Sequence, residues 1–158
     1  MNAVTTEKII IPRSALFLGY SGLVPFVVLS LLLWWSPAHY GEQIQHALWL
    51  YAVIILSFMG AVHWGVAMAK PYDSDTGEPD KRMLLLSVIP ALVAWFASFV
   101  SGLAQWSILY IAFTGLCVLD TESTKRGDLP AWYPMLRVPL TIIVVLSLIN
   151  AQLAIAIA

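Results

Sequence analysis

From Ala47 to Ala69 the chain carries no Lys, Arg, Asp or Glu. A helix crosses the hydrocarbon layer of a bilayer with about 20 mostly apolar residues. Within that layer the backbone must satisfy its own hydrogen bonds, which leaves helices and closed barrels as the spanning structures. The run is too long for one barrel strand and is read as a membrane helix. Four more segments read the same way: Ala15–Trp35, Met83–Val100, Leu103–Leu119 and Pro134–Ala156. The Leu103–Leu119 segment is the shortest, yet too apolar for a surface loop. The expected fold is all-α, an integral membrane five-helix bundle forming a single membrane domain over residues 1–158, with helices at about 15–35, 47–69, 83–100, 103–119 and 134–156.

Composition bears this out. Of 158 residues, 60% are hydrophobic and 11% charged, against about 25% charged in a soluble domain. A net charge of −1 supplies no field to recruit nucleic acid. The single cysteine, Cys117, excludes an internal disulfide and a cysteine-based zinc site. The first apolar run is longer than a signal-peptide core and no small-residue cleavage site follows it, so it is read as a retained helix.

The polar connections orient the bundle. Lys8 and Arg13 precede the first helix, and Lys70, Lys81 and Arg82 lie between the second and third. Lys125 and Arg126 lie between the fourth and fifth, and Arg137 opens the fifth. All 8 Lys and Arg therefore fall on one side. The positive-inside rule predicts a cytoplasmic N-terminus and a periplasmic C-terminus. Trp34, Trp35, Trp49 and Trp106 are expected at the outer interface, and Tyr20, Trp132 and Tyr133 at the inner one.

His63 interrupts the second run, seven residues before Lys70 and so about 10 Å below the inner interface. Ser57, Ala61, Gly65 and Ala69 recur every four residues, a stripe expected to let a neighbouring helix approach closely. His63 lies about 200° around the helix from Ala61. It faces away from the stripe, and a polar group there calls for protein or a cavity rather than lipid. In one reading His63 is neutral and makes a single interhelical hydrogen bond. In the other it lines a ligand site open to the cytoplasmic leaflet, with Asp120, Trp132, Tyr133 and Arg137 in the same layer and the deeper Trp64 and Trp95 flanking an apolar tail or ring. For Asp120 and Arg137 the plainer alternative is an ion pair at helix ends.

Other chemistries lack their residues. No lysine lies inside a span to form a retinal Schiff base, and His39 and His46 are too far out to share a haem with His63. Met59 and His63 alone make a weak metal pair. The stretch "DSDTGEPD", Asp73–Asp80, lacks calcium-loop spacing. No nucleophile-elbow, zincin or P-loop motif is present. No catalytic residue, metal or cofactor is assigned.

The strings "GYSGLVPF" (Gly19–Phe26), "YAVIILSFMGAVHWG" (Tyr51–Gly65), "SVIPALVAW" (Ser87–Trp95) and "LPAWYPMLRVPLT" (Leu129–Thr141) stand in order along the chain. With Asp120, the sequence resembles a bacterial family of small inner-membrane proteins built on a domain of unknown function. The family has an animal relative in the mitochondrial protein called transmembrane protein 69. The resemblance implies a five-helix, multi-pass protein of a bacterial or mitochondrial inner membrane, read here as the bacterial one, and emphasises His63, Trp64, Trp95, Trp132, Tyr133 and Arg137. It implies no activity. Three functions stay open: a binding module for a lipid- or quinone-sized ligand, an accessory or assembly subunit of an inner-membrane respiratory complex, and a membrane enzyme or carrier using His63 and Asp120. The expected partners are the bilayer, a lipid or quinone, and other inner-membrane proteins.

Overall fold

The computed structural model describes residues 10–36, 38–70 and 80–157. These residues form α1 (Arg13–Ser21), α2 (Val24–Leu32), α3 (Ala38–Ala69), α4 (Lys81–Ala97), α5 (Ala104–Lys125) and α6 (Tyr133–Ile157). The stretches Arg13–Leu32, Tyr40–Ala69, Ala104–Lys125 and Tyr133–Ile157 are long and apolar enough to cross a membrane. At 17 residues α4 stands at the short limit for a span, about 17–25 residues. Lys8 and most of the acidic stretch Asp73–Asp80 lie outside the described residues.

The predicted first helix is two helices. Pro25 opens α2 without an amide hydrogen, so the ladder from α1 is interrupted at Gly22 and Leu23. The Tyr51 hydroxyl, reaching from α3, donates to the freed Gly22 carbonyl at 2.9 Å. A broken helix is tolerated at membrane depth when a neighbour re-satisfies the backbone in this way.

Two other helices outrun their predicted limits. α3 begins at Ala38 and has 32 residues, or about 48 Å at the helical rise. The helix was expected from about residue 47, but Gly41 already sits inside it, followed by the good helix formers Glu42 and Gln45. α5 continues past Leu119 to Lys125, because Asp120 is paired inside the bundle rather than solvated at a helix end.

The helices close a ring in which α2, α3, α4, α5 and α6 each meet the next, and α6 meets α2. α3 also touches α5 across the centre, and α1 leans on α6. The core runs through Phe26, Leu48, Leu56, Leu109, Phe113 and Leu148. Phe26 meets the Tyr51 and Phe113 rings edge-on at 5.1 and 6.0 Å. Trp106, expected at the outer interface, is instead fully buried against Trp49 at 5.6 Å. Polarity is distributed as lipid demands. Ser30, His63, Asp120, Ser123, Arg137 and Thr141 are inside, while Phe58, Leu85, Phe99, Ile111 and Leu146 are exposed. Outward apolar residues suit hydrocarbon as solvent, and inward polar ones join helices.

The predicted small-residue stripe does not pack within this chain. Ala61, Gly65 and Ala69 are exposed, and a Cβ on Gly65 would meet nothing within 4 Å. The close approach is at Gly60, one register away. A Cβ there would lie 2.6 Å from the Ser87 carbonyl and 3.0 Å from Pro90 on α4. The face of α3 that packs is the one bearing His63, and it holds Leu48, Ala52, Leu56, Gly60 and Ala67.

Candidate functional site

The helical register brings three ionisable side chains into the interior. On α5 the buried residues are Trp106, Leu109, Phe113, Leu116, Asp120 and Ser123, at alternating steps of three and four. On α6 Arg137, Thr141 and Val144 follow the same rule. Three- and four-residue steps keep one helix face toward its neighbours. Asp120 therefore meets α6, and through the α3–α5 contact it also meets His63.

Asp120 is fully buried, and Arg137 is 4% exposed. The Arg137 Nε–H donates to Asp120 Oδ2 at 2.7 Å. His63 Nε2 stands 3.4 Å from Asp120 Oδ1, also with no exposure. That approach is close in distance but not aligned as a hydrogen bond, and both atoms are left without a partner. The carboxylate thus ties α5 to α6 and faces α3.

The arginine grips through Nε alone, and its Nη2 has no partner. Tyr133, one turn before Arg137, has a buried and unpaired hydroxyl. Thr141, one turn after it, and Ser123, one turn after Asp120, also carry buried unpaired hydroxyls. Unpaired buried polar groups are rare and costly, the more so without water nearby. Of the eight such side-chain atoms among the described residues, seven belong to His63, Asp120, Ser123, Tyr133, Arg137 and Thr141; the eighth is Trp106 Nε1.

The charged end of the bundle has a second lock. Asp128, in the turn between α5 and α6, pairs with Lys70 at the end of α3 and with Arg82 at 3.3 Å near the start of α4. Asp80 caps α4, accepting from the Arg82 and Met83 amides.

Of the residues placed in one layer by sequence, His63, Asp120 and Arg137 come together, with Tyr133 beside them. Trp132 stands half-buried in the preceding turn, its ring edge-on to Tyr133 at 6.0 Å. Trp64 and Trp95, expected to flank an apolar tail or ring, face outward instead. Trp64 follows His63 by one residue, about 100° around the helix, and is 46% exposed. Trp95 is 55% exposed near the far end of α4, where it stacks edge-on with Phe96 and Phe99, each at 4.9 Å. Both face the surroundings because α3 and α4 pack through their Gly60 and Pro90 faces. The Asp120–Arg137 ion pair anticipated as the plain alternative exists, but in the interior rather than at helix ends.

Ser123 and Thr141 were missed. A signal was available, since each lies one turn from a charged residue on the same face. Ser57, Thr114, Thr121 and Thr124 show why the signal is weak. Each donates to the carbonyl four residues earlier, the ordinary fate of a hydroxyl in a membrane helix. The described residues contain no group of three or more His, Cys, Asp or Glu able to hold a metal ion.

Transmembrane protein 69 of Xenopus tropicalis is 35% identical over 141 residues, which is 89% of this chain and 54% of that protein. Transmembrane protein 69 of Mus musculus is 25% identical over 138 residues, 87% of this chain and 55% of that protein. The chain thus spans about half the length of the curated relatives it matches. No solved structure matches it. The model of a family described as a protein of unknown function (DUF3429) matches residues 11–153, and the chain belongs to that family of membrane proteins related to transmembrane protein 69.

Proposed function

We propose that this protein is a membrane binding module that holds the polar head of a lipid- or quinone-sized amphiphile at the layer of His63, Asp120 and Arg137. One observation carries the reading: the buried polar atoms without partners concentrate in that layer. A hydrogen-bonding head would satisfy them, whereas a purely structural ion pair has no use for the extra hydroxyls of Ser123, Tyr133 and Thr141. Ligand sites have this form, mostly apolar walls with a few placed polar groups. The positive-inside rule supports putting the layer in the cytoplasmic leaflet of a bacterial inner membrane, with the N-terminus on that side. Native mass spectrometry of the chain released from nanodiscs tests the reading. A small-molecule adduct that disappears in His63→Ala, with helicity retained, is expected. An adduct indifferent to His63→Ala, or a bare chain in every lipid mixture, overturns it.

A second reading has its own observation. The exposed stripe Ala61, Gly65 and Ala69 on α3 suits close approach by a helix of another protein. An accessory or assembly subunit of an inner-membrane complex would present such a face. Gly65→Leu should then release a co-purifying partner while leaving the bundle folded, and unchanged co-purification rejects this reading.

A further inference from the structure

An amphiphile reaches a buried head site from the bilayer, so one wall of the polar layer has to move. Most of the walls are tied. The Arg137–Asp120 pair joins α6 to α5. Gly60 of α3 lies against the Ser87 carbonyl and Pro90 of α4. Asp128 clamps the turn between α5 and α6 to Lys70 and Arg82, beside the basic ends of α3 and α4. Each of these four helices also buries side chains in the core.

The exception is α1. None of its side chains is buried, whereas α2 buries Phe26 and Ser30. Among the described residues α1 makes no ion pair to another helix. Its main contact is with α6. Gly19 rests there on Leu140 and Leu136, whose methyl carbons would lie 2.9 and 3.5 Å from a Cβ. Those two leucines immediately precede Thr141 and Arg137, so α1 runs beside the polar layer. α2 stands between α6 and α3, and α1 continues its span toward the basic loops. At the depth of the layer, α1 is therefore the wall between α6 and α3.

The joint between α1 and α2 is built as a hinge. Gly22 and Leu23 lie outside both helices, and Pro25 supplies no amide hydrogen across the joint. Hinges are a few element-terminal residues that absorb a change of backbone angle. Among the described residues, one side-chain hydrogen bond holds the joint to α3, from the Tyr51 hydroxyl to the Gly22 carbonyl at 2.9 Å.

Resting on the binding-module reading above, we infer that α1 is a gate that swings about Gly22 and Leu23, off Leu136 and Leu140, and admits the head of the amphiphile sideways to His63, Asp120 and Arg137. Tyr51 is its latch, bonded to Gly22 when the gate is shut. The swing withdraws no side chain of α1 from the core.

The test uses the full chain in phosphatidylcholine nanodiscs. Ser123→Cys places a thiol in the layer, and Cys117→Ser removes the native one. Mass spectrometry follows modification of that thiol by methyl methanethiosulfonate. Adding Tyr51→Phe should speed the modification about three- to tenfold, the scale of one neutral hydrogen bond. Adding Asp128→Asn, which loosens the lock at the charged end, should leave the rate unchanged. Circular dichroism checks that each variant is folded. A rate that rises with Asp128→Asn and not with Tyr51→Phe moves the entrance to the charged end and overturns the gate. Equal rates in all variants overturn it too. If a His63-dependent adduct is nonetheless seen by native mass spectrometry, the binding module stands without the gate. No adduct in any lipid mixture overturns both.

Discussion

The two ends of this bundle solve the same problem with different chemistry. At the end away from the basic loops, the inter-helix polar contacts use neutral groups with complementary partners. The Trp34 indole donates to the Asn150 side-chain oxygen at 3.1 Å, and the Asn150 amide donates to the Ser30 carbonyl at 3.1 Å. The Gln152 amide reaches the Leu103 carbonyl at 3.0 Å and the Ser107 hydroxyl at 3.1 Å. At the charged end the glue is ionic, deeply buried and incompletely satisfied. Amides can join helices at little risk, since losing one leaves no net charge behind. A buried carboxylate is a poor choice for mere joining, because desolvation offsets most of its attraction. Its presence beside unpaired hydroxyls sets the charged end apart from the neutral one.

The sharpest way to break this contrast is at the ion pair. Arg137→Leu leaves Asp120 buried and uncompensated, and should lower unfolding stability in micelles by about 3–5 kcal/mol. The double change Asp120→Leu with Arg137→Leu should recover most of that loss. If the double variant is as unstable as the single one, the ion pair is structural glue and the contrast fails. Gly60→Leu comes next, at about 1–3 kcal/mol, because its side chain runs into the Ser87 carbonyl. Gly65→Leu should be tolerated by the isolated protein, and equal thermal melts for the two would refute the assignment of the packed face of α3.

Asn150→Ala at the neutral end should lose less, about 0.6 kcal/mol and at most about 2 kcal/mol, as for other hydrogen bonds between membrane helices. Smallest of all is Thr141→Val, which removes an unpaired hydroxyl at constant shape and should leave stability within about 0.5 kcal/mol of the parent or raise it. A large loss there would mean that Thr141 holds the fold, and the two ends would no longer differ in kind.

Much of this was legible in sequence because lipid imposes simple rules. The membrane helices followed from uninterrupted apolar runs, and the inward face of His63 followed from its angle to Ala61. What failed was the choice between two small-residue registers on α3. Ala61, Gly65 and Ala69 look as suitable as Gly60 until Pro90 and the Ser87 carbonyl are brought alongside. Trp64 and Trp95 failed for a related reason: depth along a helix is readable from residue count, but azimuth depends on which neighbour the helix has chosen. Asp120 and Arg137 were each visible. Their pairing was not, since no spacing rule connects residues on different helices. The start of α3 was placed near residue 47, where the apolar run begins, although the helix already includes the polar residues from Gly41 to His46.

The bond between Asp120 and Arg137 also constrains how the chain is made. Seventeen residues separate the two along the sequence. As α5 leaves the ribosome its carboxylate has no counter-charge, and an aspartate disfavours insertion, by about 2.5–3.5 kcal/mol at a helix centre and by less at Asp120, near the end of α5. Only when the first turns of α6 arrive does that charge acquire its partner. Insertion of α5 and α6 together, as one hairpin, would spare the bilayer an uncompensated carboxylate.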